Sequence, residues 1–320
     1  MTLYLDDNFV WDFWLAPRLD ASEPFHCYFL QAPRALPDPE MRHDQARIGH
    51  AISTNLIDWT YLGLILPLGD PGAWDDWTQW TGSVTRHDSK SYLFYTGRST
   101  PESGNVQRIG LAVSDDLSHW TKAPENPIMQ AASPWYEAPA DDGGNRSDCR
   151  DPWILRYDNQ WLMYYTASAA GEPPDRYAVV GIATSDDLIH WTPGAPVAAP
   201  GIFGEIEVPQ IFPLGERWAM LFCTAKHANL DGNPATWIGT HYLLSDTPFG
   251  PFELAPGPLL LADEAGSNYA ARAILDPWLG NFIMAFRRSG ASGRFVGELT
   301  DPISLILDPA NARLTVLPTS

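Results

Sequence analysis

The chain has 320 residues, 45% of them hydrophobic, so it can bury a sizeable core, and intrinsic disorder is excluded. Its formal net charge is −19, from 39 acidic and 20 basic residues. Such a surface repels phosphate backbones and anionic lipid headgroups, so we expect neither nucleic acid nor a membrane as a partner.

The cysteines and the first residues indicate a reducing compartment. Cys27, Cys149 and Cys223 lie far apart and form no CxxC pair, so neither a disulfide framework nor a zinc site is predicted. The N-terminal segment lacks a basic stretch followed by an apolar one, and no apolar run is long enough to cross a bilayer. We therefore expect a cytoplasmic protein with no metal and no cofactor.

Three kinds of strand-like phrase recur along the chain. The opening phrases, in chain order, are "VWDFWLAP" (10–17), "WTGSVTR" (80–86), "CRDPWIL" (149–155), "EVPQIF" (207–212) and "ARAILDPW" (271–278). A short apolar and aromatic phrase follows each, as in "SYLFYTG" (91–97) and "WLMYYTA" (161–167). The third phrase is clearest in "GHAISTNLIDW" (49–59), "GLAVSDDLSHW" (110–120) and "GIATSDDLIHW" (181–191). These runs, bounded by turn-forming residues, are typical of strands.

The repetition predicts an all-β fold. Five units recur about 55 to 70 residues apart without long helical periodicity, which indicates a five-bladed β-propeller forming a single domain over residues 1–320. A β-sandwich lacks such a long repeated phrase, and the WD40 repeat is shorter, so both are less favoured. We expect one terminus to complete the blade of the other, through "TLYL" (2–5) or "LTVLP" (314–318).

The opening strand of each blade should line the central channel. The residues placed there are Asp12 in blade one, Trp80 and Ser83 in blade two, Arg150 and Asp151 in blade three, Glu205 and Glu207 in blade four, and Arg272 or Asp276 in blade five. Clustered carboxylates either bind a hard cation or perform acid–base and nucleophilic chemistry on a sugar. Trp11, Trp14 and Trp80 flank the cluster, and their flat faces suit sugar rings.

Four motifs in this order resemble those of glycoside hydrolase family 68, the levansucrases and inulosucrases: "VWDFW", "QWTGS", "CRDP" and "EIEVP". "GHAISTNLIDW" and "RDP" also resemble family 32 of the same clan, the invertases and fructanases. The resemblance implies retaining chemistry on β-fructofuranosides such as sucrose or short fructooligosaccharides, by hydrolysis or fructosyl transfer. The expected partner is thus a small carbohydrate.

The resemblance also implies a role for each matched residue. Asp12 corresponds to the nucleophile, Glu207 to the general acid/base and Asp151 to the carboxylate that stabilises the transition state. The remaining matches are to substrate-binding positions: Arg150, Glu205, Trp11, Trp80 and Thr81, together with Ser83.

The chain departs from the family pattern at two places. The family 32 signature "NDPNG" is missing, because Phe13 and Trp14 follow Asp12, and this favours family 68. Beyond Glu207, where the family has a substrate-binding arginine, the nearest cations are Lys226 and His227.

Two alternatives remain open at this stage. One is an inverting enzyme similar to family 43, acting on arabinosides or xylosides. The other is a sugar-binding propeller that does no chemistry.

Overall fold

The computed structural model describes residues 2–131, 134–139, 146–225, 238–290 and 293–317, with the backbone alone at 256–259. In these ranges the chain forms five antiparallel sheets of four or five strands, and the predicted all-β, five-bladed propeller is confirmed. Among the described residues no helix is long and apolar enough to span a membrane.

The blades follow one another along the chain. Blade one comprises β1 (Asn8–Leu15), β2 (Phe25–Pro33), β3 (Arg47–Ser53) and β4 (Thr60–Leu64). Blade two comprises β5 (Thr78–His87), β6 (Lys90–Arg98), β7 (Gln107–Ser114), β8 (Thr121–Lys122) and β9 (Met129–Gln130). Blade three comprises β10 (Cys149–Tyr157), β11 (Gln160–Ser168), β12 (Ala178–Ser185) and β13 (Thr192–Pro193).

The last two blades continue this order. Blade four comprises β14 (Glu207–Leu214), β15 (Arg217–Thr224), β16 (Ile238–Ser245) and β17 (Glu253–Asp263). Blade five comprises β18 (Asn268–Asp276), β19 (Gly280–Ser289), β20 (Phe295–Leu299), β21 (Ile303–Asp308) and β22 (Arg313–Val316). Two short 3-10 helices, Pro39–Asp44 and Pro309–Asn311, complete the elements.

The hydrophobic core lies between neighbouring blades. Successive side chains of a strand point to opposite faces of its sheet. In β11, Trp161, Met163 and Tyr165 therefore pack against blade two, whereas Leu162 and Tyr164 pack against blade four. A strand covered on both faces needs a continuous apolar run, which explains why the second phrase of each repeat is so rich in aromatic residues.

Blade one meets blade five without the predicted strand exchange. Within the described residues, strand β22 pairs only with β21 of its own blade and "TLYL" forms no strand, so that expectation was wrong. The contact is made by packing and by backbone groups instead. Leu3 accepts a backbone hydrogen bond from Leu299 at 3.1 Å, and the Arg34 guanidinium donates to the carbonyls of Val296 and Gly297, each at 2.8 Å. A continuous core joins these blades, so no swapped strand is needed.

The phrase "SDDLIHW" is a side-chain-capped turn. Ser185 Oγ accepts from the backbone N–H groups of Asp187 and Leu188, at 3.1 and 2.9 Å. Asp187 Oδ1 accepts from the N–H of Ile189 at 2.9 Å and of His190 at 2.8 Å. Leu188 has a φ of 68°, so these bonds stabilise a strained backbone. The copy at 114–120 makes equivalent bonds, and the second aspartate of each pair carries the turn.

Replacing this aspartate should destabilise the fold, and its neighbour in sequence provides a control. We expect Asp187→Ala to lower the free energy of unfolding by about 1–2 kcal/mol, because two backbone donors lose their acceptor. Asp186→Ala, at an exposed position, should change it little. Urea unfolding followed by circular dichroism measures both. Equal losses in the two variants would contradict this account of the turn.

Candidate active site

Every inner strand carries a β-bulge near its start. The register shifts fall between Trp11 and Phe13, Trp80 and Gly82, Arg150 and Trp153, Glu207 and Gln210, and Tyr269 and Arg272. Four of the bulges contain a non-glycine residue at positive φ: Asp12 (23°), Asp151 (57°), Val208 (54°) and Ala270 (49°). A bulge bends its strand and re-aims a side chain. Repeated in five blades, it turns side chains of all five inner strands towards one place.

That place is a cavity of about 340 Å³. The residue before each bulge lines it: Trp11, Trp80, Arg150, Glu207 and Tyr269. The bulge residues Asp12, Thr81 and Asp151 line it as well. Three carboxylates, two indole rings and one arginine from blades one to four thus share a small volume.

Asp12 is partly buried and receives a hydrogen bond of 2.6 Å from the Thr81 hydroxyl to its Oδ2. Burial is the main cause that raises its pKa to about 7, and the negative charge of Asp151 adds to it. The Thr81 hydrogen bond opposes this rise.

Asp151 is held from two neighbouring elements. Its Oδ2 accepts from the Thr166 hydroxyl at 3.0 Å and from the backbone N–H of Val208 at 3.1 Å. Burial raises its pKa to about 6, in spite of the positive charge of Arg150. The Val208 bond joins the bulge of blade four to the carboxylate of blade three.

Glu207 is bound at both oxygens. Arg150 Nη2 donates to Oε1 at 3.0 Å, and the Tyr269 hydroxyl donates to Oε2 at 2.6 Å. Burial alone would raise the pKa of Glu207, but the Arg150 charge and the Tyr269 hydrogen bond outweigh it and hold the pKa below its usual value. The Glu207 carboxylate of "EIEVP" is thus partly buried with both of its oxygens paired.

Arg150 is the central cation of the cluster. It is 3% exposed and bridges Asp148, through a 2.7 Å bond to Oδ1, and Glu207. Its Nε lies 3.5 Å from Asp151 Oδ2. A buried guanidinium with carboxylate partners holds their orientation as well as offsetting their charge.

Hydrogen bonds link the bulges from blade to blade. Thr81 of blade two donates to Asp12 of blade one. Thr96 Oγ1 donates to the Thr81 carbonyl and accepts from the Asp151 N–H, both at 3.0 Å, which joins blade two to blade three. Val208 of blade four donates to Asp151. The relative positions of the carboxylates are thus set by backbone and hydroxyl contacts.

The structure brings most of the predicted residues together and leaves out four. Trp11, Trp80, Thr81, Arg150 and Glu205 line the cavity with the three carboxylates. Ser83 and Trp14 are buried and do not line it. Arg272 and Asp276 line a separate cavity of about 280 Å³, formed by the later residues of the inner strands. Lys226 and His227 lie outside the described residues.

Sequence reasoning missed Tyr269 and a group of rim residues. Tyr269 occupies in blade five the position of Glu207 in blade four, and an alignment of the bulge positions would have found it. The rim residues are Glu40, Arg42, His43, Arg146 and Arg288. The first three belong to or adjoin the loop between β2 and β3, for which the repeat provides no pattern. Among the described residues no three His, Cys, Asp or Glu side chains are arranged to hold a metal ion.

Because burial raises the pKa of Asp12, its ionisation should oppose folding. The folded-state pKa of about 7 lies well above the ordinary aspartate value of 3.8, so the stability contributed by the protonated form is lost as pH rises through 7. We expect Asp12→Asn to stabilise the protein by about 2 kcal/mol more at pH 8 than at pH 5. Thermal unfolding at both pH values measures this. Asp246→Asn at an exposed turn is the control, and a gain independent of pH in Asp12→Asn would refute the prediction.

Comparison with known proteins identifies the family of this chain. Residues 19–290 match the family model described as the glycosyl hydrolases family 32 N-terminal domain. A levanase of Bacillus sp. (strain L7) is 27% identical over 294 residues, which cover 83% of this chain and 29% of the levanase. A fructan 6-exohydrolase of Beta vulgaris is 30% identical over 198 residues, covering 59% of this chain and 30% of that protein. The chain thus spans less than a third of the length of these two relatives.

Solved structures share the fold. The inulosucrase of Halalkalicoccus jeotgali bound to kestose has a TM-score of 0.79 at 19% identity, covering 99% of this chain and 90% of that one. A family 32 β-fructofuranosidase of Bombyx mori has a TM-score of 0.73 at 20% identity, covering 99% and 64%.

The family model does not support the expectation that family 68 is the closer match. That expectation rested on the segment after Asp12, and residues 1–18 lie outside the matched range. The match covers most of the chain, including the Arg150–Asp151 and Glu207 motifs. The chain belongs to the glycosyl hydrolase family 32 N-terminal domain family.

Proposed function

We propose that this protein cleaves β-fructofuranosides with retention at the anomeric carbon, by hydrolysis or by transfer of the fructosyl unit to a small acceptor. The observation that carries the proposal is the convergence of Asp12, Asp151 and Glu207 on one 340 Å³ cavity. Two carboxyl groups are the usual machinery of glycoside cleavage, and the family membership directs this chemistry to fructosides.

Asp12 is the nucleophile of the proposed reaction. Its carboxylate attacks the anomeric carbon while Glu207 gives its proton to the departing glycosidic oxygen, so one bond forms as the other breaks. Water or an acceptor hydroxyl then passes a proton to Glu207 and displaces Asp12. Asp151 lies beside Asp12, where its negative charge stabilises the positive charge that develops on the sugar ring.

In the free site the proton is favoured on Asp12, whereas the reaction needs it on Glu207. Burial favours protonated Asp12, whereas Arg150 and Tyr269 favour ionised Glu207. Hydroxyl groups of a bound fructosyl unit donate hydrogen bonds to Asp12 and Asp151, which favours their ionised forms. The glycosidic oxygen accepts from Glu207 and favours its protonated form. The carboxylates therefore titrate as one coupled group.

Fructose-containing oligosaccharides are the proposed substrates. The relatives are called levanase and fructan 6-exohydrolase, and the inulosucrase structure contains kestose. The cavity volume suits one sugar ring with little room beyond it. Sucrose and short fructooligosaccharides fit this description, with the leaving group at the rim formed by Arg42, His43 and Arg288.

Sugar release tests the reaction. The protein is incubated with sucrose, kestose, levan-type oligosaccharides, and aryl arabinosides and xylosides. We expect fructose from one or more fructosides and a loss of about 10³-fold or more in Asp12→Ala, with Asp186→Ala unaffected. Turnover confined to pentosides would indicate the inverting alternative, and binding without turnover would indicate a sugar-binding propeller.

Methanol as acceptor tests the stereochemistry. A covalent fructosyl intermediate with retention yields methyl β-fructofuranoside, which does not mutarotate, and proton NMR identifies the anomer. Fructose release without this product, at methanol concentrations that leave the enzyme active, would exclude transfer from such an intermediate.

The Tyr269 hydroxyl should set the basic limb of the pH profile. It donates to Glu207 Oε2 and stabilises the carboxylate, so in Tyr269→Phe the pKa of Glu207 should rise. In the substrate complex the protonated acid then persists to higher pH, and the basic limb of kcat, which reports that complex, should move up by roughly half a unit to one unit. Tyr164→Phe is the control, since this buried hydroxyl binds the Pro248 carbonyl away from the cavity. An unmoved basic limb in Tyr269→Phe would contradict the assignment.

A further inference from the structure

One buried cation beside the catalytic carboxylates has no part in the mechanism above. Arg272 is 2% exposed and follows the bulge of β18, on the side away from the substrate cavity. It lines the second cavity, which the later residues of the inner strands form at the other end of the channel. A buried guanidinium is expensive unless its surroundings use its charge or its donors.

The donors of Arg272 are used by the bulge of blade four. Its Nη1 donates to the carbonyls of Val208 at 3.3 Å and Pro209 at 3.0 Å. These two residues lie within the register shift of β14, so their carbonyls have no partner in the pairing of β14 with β15. Val208 is also at positive φ, a conformation that persists only when its surroundings hold it.

The same bulge positions two catalytic carboxylates. Glu207 directly precedes Val208, and the Val208 N–H donates to Asp151 Oδ2 at 3.1 Å. A shift of this backbone segment would therefore move the Glu207 side chain and remove a donor from Asp151. Arg272 extends to blade five the series of hydrogen bonds that links the bulges of blades one to four.

The charge of Arg272 is not neutralised by direct contact. Its Nε and Nη2 have no hydrogen-bond partner among the described residues, and Nη1 bonds carbonyls alone. The Trp153 ring lies 5.4 Å from its Cζ, which supplies a partial cation–π contact. The positive charge of Arg272 therefore acts on the carboxylates of Asp151 and Asp12.

We propose that Arg272 is a positioning residue of the active site: it fixes the Val208 and Pro209 bulge that orients Glu207, and its charge favours the ionised forms of Asp12 and Asp151 that catalysis needs. The kinetic experiment described below requires an active enzyme, and in that part the inference rests on the function proposed above.

The charged and titratable groups around these side chains come from every neighbouring blade. Asp12, Asp151, Glu207 and Arg272 act on one another. The further groups that act on at least one of these four side chains are Arg150, Cys223, His43 and Tyr269. Burial raises the pKa of Cys223 to about 12, and this thiol stays neutral at ordinary pH. Arg150 binds Glu207 and Asp148 directly, so Arg272 is the buried cation of this group whose guanidinium is not hydrogen-bonded to a carboxylate.

The first arm of the test needs no activity. Unfolding free energy is measured from pH 4 to pH 9 for the wild type, Arg272→Met, Asp12→Asn and the double variant. Loss of the cation should move the fall in stability, which accompanies ionisation of Asp12 and Asp151, to higher pH by roughly half a unit to one unit. The shift should be smaller in the Asp12→Asn background, because one of the two responding carboxyls is gone. An equal displacement in both backgrounds, or none, would overturn the electrostatic role.

The second arm uses kinetics on the fructoside that the wild type cleaves. In Arg272→Met we expect kcat to fall roughly ten- to hundredfold with little change in KM, because Glu207 is misplaced. The acidic limb of kcat, which reports Asp12 in the substrate complex, should move up. Arg272→Lys keeps the charge and one donor group, so it should restore the acidic limb and part of kcat. Arg18→Met is the control, since this arginine lines the second cavity but pairs with Asp276.

The outcomes separate this inference from the proposed function. A wild type that cleaves no fructoside, with the stability shift intact, would end the proposed function and leave the electrostatic role standing. An active wild type with the acidic limb and kcat unchanged in Arg272→Met would overturn the inference. Should Arg272→Met not fold, Arg272→Lys decides: a wild-type acidic limb with reduced kcat supports the inference, whereas a displaced limb or unchanged kcat overturns it.

Discussion

The rest of the site depends on one constraint, the burial of three carboxylates in a single small cavity. Each of Asp12, Asp151 and Glu207 loses its hydration, and their charges repel one another. Only a dense set of donors makes the cluster tolerable. Arg150 and Tyr269 donate hydrogen bonds to Glu207, and hydroxyl and backbone groups donate to the two aspartates. Burial, with the remaining charge repulsion, still raises the pKa values of Asp12 and Asp151.

The propeller supplies what such a cluster needs. Its cores lie between blades, so each inner strand is fixed from both sides, and the channel ends are free for polar side chains. A regular strand could not point the required side chains at one spot, and the bulges with positive φ do so at a cost in backbone strain. Because the bulges are hydrogen-bonded from blade to blade, the strain of each is held by its neighbours. The same hydrogen bonds between bulges thus make the scaffold rigid and set the geometry of the site.

This arrangement places stability and chemistry in opposition. In the proposed reaction the ionised form of Asp12 attacks the sugar, yet burial disfavours that form in the empty site. Sites of this kind are retained because their strain and repulsion are relieved in the transition state, where positive charge develops beside the carboxylates. Two arginines offset the cost of the buried carboxylates in different ways. Arg150 donates a hydrogen bond directly to the Glu207 carboxylate, whereas Arg272 donates to a backbone carbonyl of the bulge in blade four.

The sequence by itself determined the number of blades, the turn at each "SDDLxHW" phrase and the motifs that carry Asp12, Arg150, Asp151 and Glu207, because these are local patterns repeated at a fixed spacing. Only the tertiary structure decided which side chains share a cavity. Tyr269 enters it, Ser83 does not, and Arg272 belongs to the other end of the channel, because a bulge changes the direction of a side chain without changing the apolar pattern around it. The rim arginines Arg42 and Arg288 were likewise invisible, since their contacts join segments far apart in the chain and follow no local period.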